Sequence, residues 1–166
     1  MNAPRPPLPP LRPVPFFRSR ESQDELRAIV ATWLGTPFHD QAGIKGVGVD
    51  CVHLWAEIMV EAGHLQSYVF PRYHLDAGHH DDASALLAWF EAHPGFRMVN
   101  GPLRSAEPMP GDLYCYRIGK SAHHLAGCVE WPRGVHVMRG TTVCEMRFDD
   151  PTFASRFVAS FRPVFW

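Results

Sequence analysis

Apolar positions along the chain change period near residue 105. Before it, Leu26, Ile29, Val30, Trp33 and Leu34 fall at helical spacing and predict an amphipathic helix. Ser22 and Glu25 read as a Ser-x-x-Glu capping box at its start, and Gly35 with Pro37 closes it. Val52, Trp55, Ile58, Met59 and Ala62 predict a second helix, starting at Asp50-Cys51 and ending at Gly63. A third is predicted from about Asp82 to Ala92, stopping at His93-Pro94-Gly95. Beyond residue 105, short β-branched and aromatic runs alternate with turn residues: DLYCYRI, HLAGCVEW, VHVMRG, TVCEMRF and FVASFRPVFW. They predict an antiparallel sheet. Helices first and strands second give an α+β domain with helices packed on one side of the sheet.

Composition narrows the class. The 166 residues are 46% apolar and 20% charged, with a formal net charge of -1. That suits one globular domain and offers no basic tract for nucleic acid. No apolar run approaches the roughly 18 residues of a membrane span. Seven prolines in the first fifteen residues forbid a helix there. They also leave no apolar core for a secretion signal, so synthesis in the cytosol is expected. We read residues 1–21 as a proline-rich arm and 22–166 as the domain. The arm is either a leader without fixed structure or a strip that docks on a partner through Leu8, Leu11, Val14, Phe16 and Phe17.

Four cysteines, Cys51, Cys115, Cys128 and Cys144, stand at wide, irregular spacing with no CxxC pair. This argues against both a disulfide framework and a zinc knuckle. Cys115, Cys128 and Cys144 lie in apolar strand-like runs and read as buried small hydrophobes. Cys51 differs. Asp50 suits an N-cap, which places Cys51 in the first turn of a helix, where free N–H groups favour a thiolate. The glycine-rich loop before it (GIKGVG, residues 43–48) leaves room for a ligand. A thiol nucleophile needs an imidazole to take its proton and a third polar group to orient that imidazole. His124 and His136, twelve residues apart, fall on two runs joined by a turn at Pro132-Arg133-Gly134. On antiparallel neighbours they can meet across the ladder.

Several segments, in order, resemble the NlpC-type cysteine peptidases of bacterial cell-wall metabolism. WLGTPF (33–38) resembles the opening segment and GVDCVHLW (48–55) the nucleophile motif. MPGDLYCY (109–116) resembles the strand leading to the base, HHLAGCVEW (123–131) the base strand, and GVHVMRG (134–140) the strand of the third residue. The likeness runs from residue 26 to about 164 and is closest to the short version found in phages and gene transfer agents. It implies a papain-like core and a Cys51, His124, His136 triad. The implied substrate is the peptide stem of peptidoglycan. The setting it implies is a phage-like tail, whose tip or hub proteins the arm would bind. It implies no cofactor.

Departures from the family pattern imply a narrower or weaker site. Phe38 stands where a tyrosine is usual, and Val52-His53 where Ser-Gly is common. Ala126-Gly127 replaces a Gly-aliphatic pair. His123 is an alternative base, but strand alternation lets only one of His123 and His124 face Cys51, and the likeness of HLAG favours His124. Asp50 suits a cap better than an orienter. His74 and the run His79, His80, Asp81, Asp82 read as solvated loop rather than metal ligands. Two other functions stay open: a structural tail-tip protein with a degenerate fold, and an amidase or acyltransferase on small molecules.

Overall fold

The computed structural model describes residues 14–70, 84–101 and 105–165. The leader through residue 13, His74 and the 79–82 run lie outside them. In chain order the elements are β1 (Val14–Pro15), α1 (Arg20–Trp33), β2 (Gly43–Ile44), β3 (Gly48–Val49), α2 (Cys51–Glu61) and α3 (Ala85–Ala92). Then come β4 (Phe96–Asn100), β5 (Leu113–Ile118), β6 (Ser121–Glu130), β7 (Arg133–His136), β8 (Cys144–Arg147), a single turn α4 (Pro151–Ala154) and β9 (Phe157–Phe165).

Helix α1 begins earlier than the capping box indicates. Its N-cap is Ser19, whose side chain accepts from the Ser22 N–H at 3.2 Å. Ser22 lies inside the first turn and donates its hydroxyl back to Ser19 O. The preceding chain explains the shift. Phe17 is fully buried, and Gln23 Nε2 donates to its carbonyl, so the chain turns into the helix directly after this anchor. Val14–Phe17 therefore belong to the domain rather than to an arm: β1 pairs with β9, and Phe16 N–H donates to Pro163 O. Helix α3 is capped by Ser84, which accepts from Leu87 N–H.

The sheet runs β1-β9-β5-β6-β7-β8, with β4 also on β9, and every pairing is antiparallel. Strand alternation gives it two apolar faces. Leu113, Cys115, Leu125, Val135 and Phe161 pack under Leu26, Val30, Trp33, Leu54, Trp55 and Ile58 of α1 and α2 in the main core. Phe90 of α3 stacks on Phe161 at 4.9 Å. The opposite face carries a smaller core of Tyr114, Tyr116, Ala126, Cys128, Met146 and Phe148. Phe153 of α4 packs there, so the helices are not all on one side. Burying one large apolar side chain stabilises by about 1.5–3 kcal/mol, so the α1 and α2 stripes contribute several such increments.

One close approach fixes how α2 sits. A Cβ on Gly127 of β6 would lie 2.1 Å from the Trp55 ring, so only glycine lets the helix come this near. The Trp55 indole N–H donates to Val135 O at 3.3 Å, tying α2 to β7 as well.

Candidate active site

Asp50 sets the start of α2. Its backbone is extended and its side chain caps the helix. Oδ1 accepts from Val52 N–H at 3.1 Å and His53 N–H at 2.9 Å, and bonds His53 Nδ1 at 2.9 Å. Oδ2 accepts from Gln41 N–H at 2.8 Å, and Asp50 N–H donates to Ala42 O. One carboxylate thus joins the incoming 39–42 loop to the helix start. Asp50 serves the loop, the helix start and the His53 ring. The Leu54 N–H goes to Asp50 O, so Cys51 has the one first-turn N–H that Asp50 does not take.

Cys51 is buried and belongs to the main core. The Leu125 backbone N–H favours the charged form of its thiol. The register explains why this N–H is available. Cys128 N–H donates to Asp112 O on the β5 side. Successive strand N–H groups point to opposite edges, so that of Leu125 points towards β7. Gly127 pairs with Val135, and the partner of Leu125 would be Val137. Strand β7 ends at His136, one residue short. The β6–β7 ladder therefore stops in a notch at Leu125, whose N–H acts on the thiol.

The two histidines flank that notch. His124 precedes Leu125, and His136 is the last residue of β7. His124 Nε2 lies 3.0 Å from His136 Nδ1, and both side chains are buried. His124 pairs with Tyr116, and their rings are 6.3 Å apart; Phe153 packs 5.2 Å from His136. The imidazoles thus rest on aromatic rings of the smaller core, while Cys51 approaches from the helix side.

Burial decides the charge states. It pushes the Cys51 thiol up to about 12, helped by the neighbouring Asp50 charge and opposed by the N–H groups of Leu125, Cys51 and Val52. Burial pulls His124 down to about 3, with His136 and His123 adding to the effect, and His136 down to about 4. The resting site holds a neutral thiol and two neutral imidazoles.

The remaining residues singled out in the sequence take supporting places. Phe38 forms a bridge to Val49, donates its N–H to Thr141 O and packs on the main core. Val52 is buried and, with Leu125 and Trp55, lines an apolar cavity of about 220 Å³. His53 packs edge-on against Tyr68 at 5.7 Å and Phe70 at 5.4 Å. His123 sits at an irregularity of β6, where Tyr116 pairs with His124 but Arg117 pairs with Ala122; its Nδ1 lies 3.2 Å from Ser121 O. All four cysteines are free; Cys115 and Cys128 are buried, whereas Cys144 is half-exposed at the β8 edge, contrary to expectation. Sequence reasoning missed the Leu125 N–H and Tyr116. A backbone donor leaves no signature in residue type, and Tyr116 becomes a neighbour of His124 only through strand register.

No family model and no curated protein matches the chain. Solved structures do. A Staphylococcus aureus protein described as similar to lipoprotein, NLP/P60 family, superposes with a TM-score of 0.58 at 17% identity, covering 92% of this chain and 44% of its own. A Bacillus cereus NlpC/P60 family protein gives a TM-score of 0.54 at 19% identity, covering 83% of this chain and 39% of its own. The chain spans less than half the length of either. It has the α+β fold of the NlpC/P60 proteins.

Proposed function

We propose that the protein is a cysteine peptidase that cleaves the stem peptides of peptidoglycan, with Cys51 as nucleophile, His124 as base and His136 as the residue orienting it. The observation that carries this reading is the hydrogen-bonded His124–His136 pair beside Leu125, whose backbone N–H acts on the Cys51 thiol. His136 Nδ1 occupies His124 Nε2, which leaves Nδ1 of His124 to receive the thiol proton. His124 then carries its own proton on Nε2 and donates it to His136 Nδ1, so His136 is the Nε2–H tautomer.

With both partners neutral at rest, proton transfer accompanies attack rather than preceding it. The Cys51 sulfur bonds to the amide carbonyl carbon as His124 takes the thiol proton. His124 gives that proton to the leaving amine as the C–N bond breaks, forming a thioester. Water, deprotonated by His124, then releases the acid and restores the thiol. The Cys51 N–H is the first-turn donor left for the oxyanion, because Asp50 takes those of Val52, His53 and Leu54.

The sequence likeness to short phage and gene-transfer-agent peptidases supports a place in a phage-like tail, with the proline-rich leader bound to tip or hub proteins. Immunodetection of the chain in purified particles tests that setting; a chain found only outside them refutes it. Incubation of the protein with muropeptides beside Cys51→Ala tests the chemistry. New peptide termini should form with the first and not with the second, and equal activity in both removes Cys51 from its role.

A second reading is a structural tail-tip protein that keeps the fold without turnover. The strongly raised thiol pKa favours it. Intact muropeptides after prolonged incubation, with the chain incorporated in particles, would select it.

A further inference from the structure

Strand β1 lies in line with β5. The Val164 N–H donates to Gly95 O on the β4 side of β9, whereas Pro163 O accepts from the Phe16 N–H. The carbonyl and N–H of one peptide group point to opposite edges, so β1 uses the edge of β9 that β5 also uses. Val14 pairs with Phe165, four residues past Phe161, which is the β9 partner of Leu113. Trp131 stands the same four residues past Gly127, the β6 partner of Leu113. Residues 1–13, which lie outside the described residues, therefore join the domain at the end of the sheet where Trp131 stands.

Trp131 is the outer end of an aromatic wall on the sheet face turned away from α1 and α2, and it is 47% exposed. Phe148 lies on it at 5.6 Å with planes 6° apart, and Tyr114 lies on Phe148 at 4.2 Å. These rings line a cavity of about 660 Å³ together with Glu107, the one charged residue of the lining. Glu107 is also close to the leader's entry. Its carbonyl accepts from Arg162, two residues from Val164, the partner of Pro15.

The sequence of the leader matches this wall. Residues 1–13 read MNAPRPPLPPLRP. Prolines at this density favour polyproline II backbone, with three residues per turn. At that period Leu8, Leu11 and Val14 fall on one ridge, and Pro7, Pro10 and Pro13 on the next. Such ridges dock on aromatic-lined grooves, and a backbone already extended loses little freedom in doing so. Arg5 and Arg12 are the only charged side chains of the leader, opposite in sign to Glu107. Residues 5–13 extend about 28 Å in this form, enough to cross the wall from the entry end. The tether at Val14 supplies an effective concentration on the order of millimolar, so weak contacts suffice.

We propose that residues 5–13 of the same chain seat in this cavity, with the Leu8–Leu11 ridge on Trp131 and Phe148 and an arginine beside Glu107. The seated leader covers the exposed end of the wall. A partner that takes hold of the leader has first to draw it from this seat.

The test is photocrosslinking of the full chain with p-benzoylphenylalanine in place of Leu8, mapped by peptide mass spectrometry. Crosslinks within one chain to Trp131, Phe148 or residues 105–108 are expected. The same probe in place of Val47, exposed on the β2–β3 turn, sets the background. Trp131→Ala should lower the yield about fivefold or more, since it removes the exposed ring. Glu107→Gln should lower it about twofold at low salt, through loss of the charge attraction. That near-isosteric change keeps the proposal testable if Trp131→Ala fails to fold. Crosslinks to the wall no more frequent than those from position 47 overturn the proposal, and so does an unchanged yield in either variant. Crosslinks confined to covalent dimers overturn it too, and give the cavity to the leader of a second copy. The readout involves no catalysis, so its failure is separate from a failure to cleave muropeptides.

Discussion

His124 Nε2 and His136 Nδ1 lie 3.0 Å apart on a diagonal of the β6–β7 ladder. The register pairs Gly127 with Val135, so His136 stands opposite Ala126 rather than opposite His124. Same-face residues two apart on neighbouring strands are within reach of long or aromatic side chains. Strand β7 ends at His136, so the ladder stops beside Leu125, whose N–H acts on the Cys51 thiol.

If His136 orients His124, its loss should act on kcat. We expect His136→Ala to lower kcat on muropeptides about 100-fold or more with little change in KM, and His136→Asn to retain part of that activity. His124→Ala should behave like Cys51→Ala. Steady-state kinetics decide this, and a His136→Ala enzyme with unchanged kcat would exclude the orienting role.

Thiol reactivity should follow the burial of Cys51. Alkylation by iodoacetamide, read at Cys51 by peptide mapping, is expected to be slow at pH 7. It should rise about tenfold per pH unit through pH 10, because the thiol is pushed up to about 12. A rate that levels off below pH 8 would show a thiolate already formed at rest.

Folding stability should fall in acid through the two histidines. Their folded pKa values, about 3 and about 4, are depressed below the unfolded value of roughly 6.5. Below about pH 6.5 the unfolded chain binds protons that the folded chain does not. Stability is therefore complete above that pH and is lost as pH falls towards 4, by at most ~1.4 kcal/mol per pH unit from each histidine. Urea midpoints between pH 4 and 8 measure the slope, and His124→Gln should flatten it. An equal slope in that variant contradicts the assignment.

Gly127→Ala tests how closely α2 must approach β6. The added methyl would lie 2.1 Å from a buried Trp55 ring that has little room to move. We expect a loss of about 3 kcal/mol or more in chemical denaturation. A loss under about 1 kcal/mol would mean that the helix can be displaced cheaply.

Asp50→Ala strips three backbone donors and the His53 ring of their acceptor at a buried site. The lost cap and the unpaired N–H groups together predict about 2–4 kcal/mol of destabilisation. Asp50→Asn, which keeps one acceptor oxygen, should cost less. Equal urea midpoints for the two variants would argue against the capping role.

The sequence by itself determined the α+β order, the α1 and α2 stripes and the placement of Cys51 behind an Asp50 cap. These are local: periodicity and capping depend on residues three or four apart. It also placed His124 and His136 on neighbouring strands, because a short turn leaves few alternatives. Strand β4, the β1–β9 pairing and the start of α1 at Arg20 were not legible. The first two depend on partners far along the chain, Phe161 for Met98 and Val164 for Pro15, and the third on the burial of Phe17. Only the tertiary structure decided the notch. Where β7 stops relative to β6 is a register property, and that end frees the Leu125 N–H for the thiol. Residue types cannot encode it, because every residue but proline carries the same N–H.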